Sequence, residues 1–144
     1  MIVDSLRTTT AGRLMMIATY ATVSTAARAL LDRNIGLLIA CDADGRAVGV
    51  VSRLDLIRHL ADDRAHETLA PLMTTEIVTC RPDDDLYGAW QAMATRKLQS
   101  LPVLDAEQHA VGVLDLGDAL RALFEQEQYQ EQLLEHYVSR SGYN

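Results

Sequence analysis

Two short stretches carry residues whose types and spacing suit ligand chemistry. Ser52-Arg53-Leu54-Asp55 follows the apolar run Ala47–Val51 and precedes Leu54, Ile57 and Leu60 at near-helical spacing, so Ser52 stands where a strand passes into a helix. A helix N-terminus offers unpaired backbone N–H groups and the positive end of a dipole, and a hydroxyl placed there can serve a phosphate. Asp55, one turn in, can accept hydrogen bonds from the two hydroxyls of a ribose. Ser-x-x-Asp before an apolar run is also a close relative of the capping box, which needs no ligand. Taken singly, the cap is the commoner explanation.

The stretch does not stand singly. Gly49-Val50-Val51-Ser52-Arg53-Leu54-Asp55 is echoed by Gly112-Val113-Leu114-Asp115-Leu116-Gly117-Asp118. When Thr22–Leu60 is displaced onto Asp85–Leu123, roughly a third of positions are identical, the self-similarity of an internal repeat. Matches include Ala26/Ala89, Ala29/Ala92, Arg33/Arg96, Asp42/Asp105, Val48/Val111, Gly49/Gly112, Asp55/Asp118 and Arg58/Arg121. Two copies of one supersecondary block follow, neither able to bury its apolar face alone.

Other chemistries find little footing. His59, His66, His109 and His136 sit in unrelated contexts, and no Gly-x-Ser-x-Gly elbow, His-Glu-x-x-His pair or phosphate-binding P-loop occurs, so the chain does not read as an enzyme. Asp83-Asp84-Asp85 reads as helix capping rather than a metal site, because successive residues at a helix start point apart. Cys41 and Cys80 form no Cys-x-x-Cys pair and read as free buried thiols. Trp90 reads as core or interface.

A formal charge of −7 from 20 acidic and 13 basic residues, without a Lys/Arg run, disfavours nucleic acid. Met1–Thr10 lacks a basic start followed by an apolar core, and no apolar run approaches the roughly 18 residues of a membrane helix. The expectation is a cytoplasmic protein with neither a leader nor a membrane span.

The elements that must position these residues follow from periodicity. Leu14–Ile17 and Ile77–Cys80 read as strands. Ser24 is expected to cap one helix, and Asp83 or Asp84 its counterpart carrying Leu86, Ala89, Trp90 and Met93. Gly36–Cys41 and Leu101–Leu104 read as strands turning through Asp42–Gly45 and Asp105–Gln108 into Ala47–Val51 and Ala110–Leu114. Each block is thus strand, helix, strand, strand, helix. Met1–Gly12 is a polar lead-in expected to dock a short helix on the second block, with Thr8–Gly12 as loop. The helix after Asp118, carrying Leu120, Leu123, Phe124, Tyr129, Leu133, Leu134 and Tyr137, runs to about Ser139 and outlasts its counterpart.

These segments resemble a tandem pair of cystathionine-β-synthase-type (CBS) domains, the arrangement called a Bateman module, as found in small stand-alone bacterial signal-transduction proteins. The resemblance rests on Thr22-Val23 with Ala26-Ala27, Ile35-Gly36 through Asp42-x-Asp44-Gly45, Gly49-x-x-Ser52-x-x-Asp55, Leu72-Met73-Thr74, Val78-Thr79-Cys80-x-Pro82-Asp83-Asp84, Leu101-Pro102-Val103 and Gly117-Asp118. It implies an α/β (α+β) fold of two βαββα repeats packed pseudo-symmetrically as one module, with a long C-terminal helix. The expected boundaries are 1–62 for repeat 1 with its lead-in, 63–71 for a connector, and 72–144 for repeat 2.

The resemblance further implies a non-catalytic regulatory module sensing an adenine nucleotide or adenosyl ligand (AMP, ADP, ATP or S-adenosylmethionine) in the cleft between repeats, with no required cofactor. Asp55 is assigned to ribose and Ser52 to phosphate, with Arg53 near enough to help and adenine held near Met16 and Ala21. A weaker second pocket involves Thr79, Asp115 and Asp118. There Asp115 replaces the hydroxyl, and two like charges about 4 Å apart repel by roughly 1 kcal/mol in water and about 4 kcal/mol at an effective dielectric of 20. The second pocket is expected to be empty or to take a ligand without phosphate. A homodimer through the small-residue helices is expected, with an unidentified target protein. The alternative is a ligand-free interaction or oligomerisation module.

Overall fold

In the computed structural model the described residues are 1–33 and 35–140, without the side chains of residues 32, 33 and 137–140; the expectation for Tyr137 therefore lies outside the described side chains. A 3-10 turn, Val3–Leu6, leads into α1, Arg7–Gly12. Repeat 1 then runs β1 Met16–Ala18, α2 Val23–Arg33, β2 Leu37–Cys41, β3 Ala47–Ser52 and α3 Arg53–Ala61. Repeat 2 supplies α4 Leu86–Arg96, β4 Ser100–Leu104, β5 Ala110–Asp115 and α5 Leu116–Arg140.

In repeat 1, β2 pairs in parallel with β1 and antiparallel with β3, giving a three-stranded sheet. In repeat 2, β4 and β5 pair antiparallel, and the strand expected at Ile77–Cys80 shrinks to one parallel bridge from Cys80 to Val103. The reason lies in β4. The Ile39 N–H donates to the Met15 carbonyl in repeat 1, whereas the matching residue in repeat 2 is Pro102, which has no N–H to give.

Both hairpins close alike. Asp42 Oδ1 accepts from the N–H groups of Asp44 and Arg46, and Asp105 Oδ1 from those of Glu107 and His109. Gly45, at φ +81°, and Gln108, at φ +69°, fill the equivalent left-handed positions. The two tips meet: Arg46 bridges His109, the Ala47 N–H donates to Gln108 O, and His109 Nε2 lies 3.1 Å from Asp44 O.

Each repeat has its own core, around Val23, Leu38, Val51, Leu56 and Leu69 in the first and Leu86, Met93, Leu101 and Leu114 in the second. A third cluster, Ile39, Leu104, Ala110 and Val113, draws on both and forms the seam. The repeats therefore share one folded unit.

Three local expectations are corrected. Thr22, not Ser24, caps α2 by accepting from the Thr25 N–H, while the Ser24 N–H is drawn to Ala65 O in the connector. Asp85, rather than Asp83 or Asp84, caps α4 by accepting from the Gly88 N–H, and Asp84 instead accepts from the Arg81 N–H. Thr8–Gly12 is helical rather than loop, because it is pressed against β5 with Thr10 buried.

The lead-in docks on repeat 2 as expected. The N–H groups of Val3 and Asp4 donate to Asp84 O and Pro82 O, and the Leu86 N–H donates to Met1 O. A Cβ at Gly112 would lie 2.8 Å from Thr10 Cβ, so only glycine admits this approach. The matching exchange occurs in reverse, with Thr74 pairing Val50 of β3 through two hydrogen bonds and Met73 lying over Gly49. Each repeat thus lends its leading segment to the other.

Candidate ligand-binding site

That exchange decides what faces each strand-to-helix junction. Thr74–Val78 of repeat 2 crosses in front of Ser52 and Asp55, enclosing a cavity of about 230 Å³. Its lining comes from both repeats: Leu37, Val50, Ser52 and Asp55 from the first, and Glu76, Ile77, Val78, Leu98 and Pro102 among those from the second. The apolar walls suit a flat ring, and polar groups come from both sides, Ser52 and Asp55 at the head of α3 and Thr74, Glu76 and Ser100 from repeat 2.

At that head the capping box is fully formed. Ser52 Oγ donates to Asp55 Oδ2 at 2.8 Å, the Ser52 N–H donates to the same oxygen at 3.2 Å, and the Asp55 N–H donates back to Ser52 Oγ. The Arg53 N–H donates to Gly36 O and its guanidinium donates to Ile35 O at 3.0 Å. Arg53 therefore faces a different surface, a groove of about 210 Å³ shared with Ala27, Leu30, Leu31, Leu56, Ile57 and Leu60.

Met16 and Ala21 do not line the Ser52 and Asp55 cavity. Met16 is half exposed on β1, and Ala21 packs on the repeat 1 core, its carbonyl accepting from the Leu69 N–H. The apolar wall that was expected from the same repeat comes instead from Ile77 and Val78, because the leading segments are exchanged.

The second junction is built on the same plan and filled differently. Asp115 Oδ1 caps α5 by accepting from the Asp118 N–H at 3.1 Å, and its other oxygen faces Gln99 Nε2 at 3.5 Å. Asp118 does not face open space. Arg13 grips it with both arms of the guanidinium, Nη2 to Oδ1 at 3.1 Å and Nε to Oδ2, and the Asp118 side chain is only 9% exposed. This hydrogen bond, more than the charges of Asp115 and Asp118, pushes the Arg13 guanidinium further into its charged form against the effect of burial. The expected repulsion between Asp115 and Asp118 is thus answered by a cation.

Thr79 is not brought to this junction. It lines a separate cavity with Cys80, Asp84, Asp85 and Gly88, whereas Asp118 borders a smaller one with Leu6, Thr9 and Arg121. The residues that reading the sequence passed over are Arg13 and Glu76. The displacement that carries Ser52 onto Asp115 carries Arg13 onto Glu76, so extending the repeat N-terminally would have paired them.

A family model described as the CBS domain matches residues 9–62 and 69–125. The chain belongs to the CBS domain family. A curated relative, an uncharacterized 33.4 kDa protein in a ribosomal RNA operon of Thermofilum pendens, is 33% identical over 91 residues; the match covers 63% of this chain and 30% of that protein, so this CBS chain spans under a third of its relative. Among solved structures, a CBS domain pair in complex with 5′-methylthioadenosine and S-adenosyl-L-methionine matches with a TM-score of 0.74 at 22% identity, covering 88% of this chain and 98% of that one. The cytosolic domain of the Mg2+ channel MgtE in complex with ATP matches with a TM-score of 0.68 at 28% identity, covering 77% and 45%.

Among the described residues no group of His, Cys, Asp and Glu is placed to hold a metal ion, and no helix is long and apolar enough to cross a membrane.

Proposed function

We propose that this CBS pair is a non-catalytic regulatory module that binds an adenine nucleotide or adenosyl ligand at the Ser52 and Asp55 junction. The observation that carries this reading is the cavity itself, in which the polar head of α3 from one repeat meets an apolar wall, Ile77, Val78 and Pro102, from the other. A ligand there touches both repeats at once, so its binding free energy stabilises their apposition, as a sensing module requires. Asp55 accepts the ribose hydroxyls and the apolar wall takes the base. The adenosyl compounds and ATP bound by the solved CBS relatives support that ligand class.

Thermal-shift measurements against AMP, ADP, ATP, S-adenosylmethionine and NADH test it. A ligand at about 100 times its Kd stabilises by about 2.7 kcal/mol. No shift with any of them at millimolar concentration would remove the ligand from the account.

The second reading, an interaction or oligomerisation module, has its own observation. Leu31, Ile57 and Leu60 of α2 and α3, and Leu120 and Phe124 of α5, are exposed large apolar side chains. Ile57 and Leu120 occupy equivalent positions in the repeat, which suits a homodimer in which both repeats present the same face. Sedimentation showing a monomer at high micromolar concentration would eliminate this arrangement.

A further inference from the structure

We infer that the cavity at Ser52 and Asp55 selects a neutral or cationic adenosyl ligand over phosphorylated nucleotides, and that Glu76 is the residue that sets this preference. The inference rests on the ligand reading above and concerns its charge class.

Phosphate recognition needs donors, and those of Ser52 and Arg53 are already committed, while the Thr74 and Ser100 hydroxyls that also line the cavity carry no charge. The hydroxyl and N–H of Ser52 both donate to Asp55, the Arg53 N–H donates to Gly36, and the Arg53 guanidinium is turned to Ile35 O at the other face. The charged residues of the described lining are Asp55 and Glu76; the lining holds no Lys, Arg or His, and His59, beside Asp55, meets its backbone carbonyl at 3.2 Å rather than its carboxylate. Two carboxylates facing one small space repel a phosphate and attract a cation, and low-dielectric walls amplify both effects.

The repeat shows how close Glu76 stands to the binding carboxylate. Its equivalent, Arg13, is in direct contact with Asp118, the equivalent of Asp55. The position thus lies within side-chain reach of the aspartate that accepts the ribose. Repeat 2 places a cation there and pairs the carboxylate's charge internally; repeat 1 places a second acid there, so Ser52 supplies two donors to Asp55 Oδ2 and a positive charge is left to the ligand. Glu76 is exposed and has no hydrogen-bond or ion-pair partner among the described residues, so its charge is not cancelled within the fold. A ribose diol supplies donors, and a sulfonium or amine on the 5′ side supplies a positive charge.

Calorimetric titration of the intact chain with S-adenosylmethionine, 5′-methylthioadenosine, AMP and ATP, the nucleotides with and without magnesium, tests this at one fixed low salt concentration. The cationic and neutral ligands should bind about tenfold or more tightly than ATP. Glu76→Gln should narrow that gap and Glu76→Lys should close or invert it, with thermal midpoints unchanged because Glu76 is exposed and unpartnered. AMP or ATP binding as tightly as the others in the wild type, with dependence on Asp55, would overturn the charge preference and leave the ligand site standing. No Asp55-dependent binding of any of the four would overturn both.

Discussion

The two strand-to-helix junctions of this CBS pair share a backbone plan and differ in what completes it. At the first, Ser52 and Asp55 form a capping box beside a cavity whose remaining charged lining is Glu76. At the second, Asp115 keeps the cap while Arg13, reaching from the exchanged N-terminal segment, closes on Asp118. A duplicated fold supplies two junctions by symmetry, and the equivalent position in the exchanged leading segments carries opposite charge at the two, Arg13 at the second and Glu76 at the first.

The largest expected effect breaks the comparison at its aspartates. On the proposed ligand reading Asp55→Ala would remove a carboxylate acceptor from two ribose hydroxyls, each hydrogen bond worth roughly 1.5 to 3 kcal/mol, so adenosyl-ligand affinity should fall by at least tenfold in calorimetry. Asp118→Ala should leave affinity within about twofold while lowering stability, since its partner is Arg13.

Next come the exchanged segments. Gly112→Ala would drive a methyl to 2.8 Å from Thr10 Cβ and Oγ1, whereas Gly49→Ala would meet the sulfur of Met73 at 2.9 Å and the Thr74 carbonyl at 3.0 Å. Overpacking costs about 1 to 3 kcal/mol, so urea unfolding should show both variants destabilised, Gly112→Ala somewhat more than Gly49→Ala. Equal losses would mean that the two leading segments dock with similar tolerance.

A third pair of variants sharpens the charge contrast. Arg13→Ala leaves the nearly buried Asp118 without its partner and should cost about 1 to 2 kcal/mol, between the values for exposed and buried pairs because Arg13 itself is 43% exposed. Glu76→Ala should stay within about 0.5 kcal/mol of wild type. The double variant Asp115→Ser/Arg13→Glu gives the second junction the first one's residues at the cap and at the facing position, and titration should then show a second, weaker equivalent of ligand. Asp115→Ser alone should not add one while Arg13 holds Asp118.

The two thiols differ as well. Burial, and secondarily the charge of Asp84, pushes the Cys80 thiol up to about 12, while Cys41 is raised by burial and then by Asp42. Because the folded value of Cys80 lies above that of the unfolded thiol, its contribution is fully present below about pH 9 and is lost as pH rises towards 12. Denaturant unfolding across that window should show the decline, reduced in Cys80→Ala. Thiol-reactive dye at neutral pH should label Cys41 well before Cys80.

Much of this architecture was legible in the sequence because repetition and hydrophobic period are local signals. The strands 37–41, 47–52, 100–104 and 110–115 all lie within a residue of their expected bounds. The errors come where tertiary contact overrides local preference. Thr8–Gly12 has weak helix formers and a glycine, and is helical because Thr10 is buried against Gly112. The strand at Ile77–Cys80 has good strand residues and is reduced to a bridge because its neighbour Pro102 cannot donate. The Arg13 to Asp118 contact joins the lead-in of one repeat to the far end of the other, so no window of sequence displays it. The placement of Met16 and Ala21 at Asp55 presumed that each repeat builds its own pocket; the exchange of leading segments puts Ile77 and Val78 there.

Stoichiometry and location of binding test the Ser52 and Asp55 site most directly. Isothermal titration of S-adenosylmethionine into wild type, Asp55→Asn and Asp118→Asn should give one equivalent per chain in the wild type, none in Asp55→Asn and one in Asp118→Asn. Two equivalents in the wild type, or binding that survives Asp55→Asn and disappears with Asp118→Asn, would contradict it.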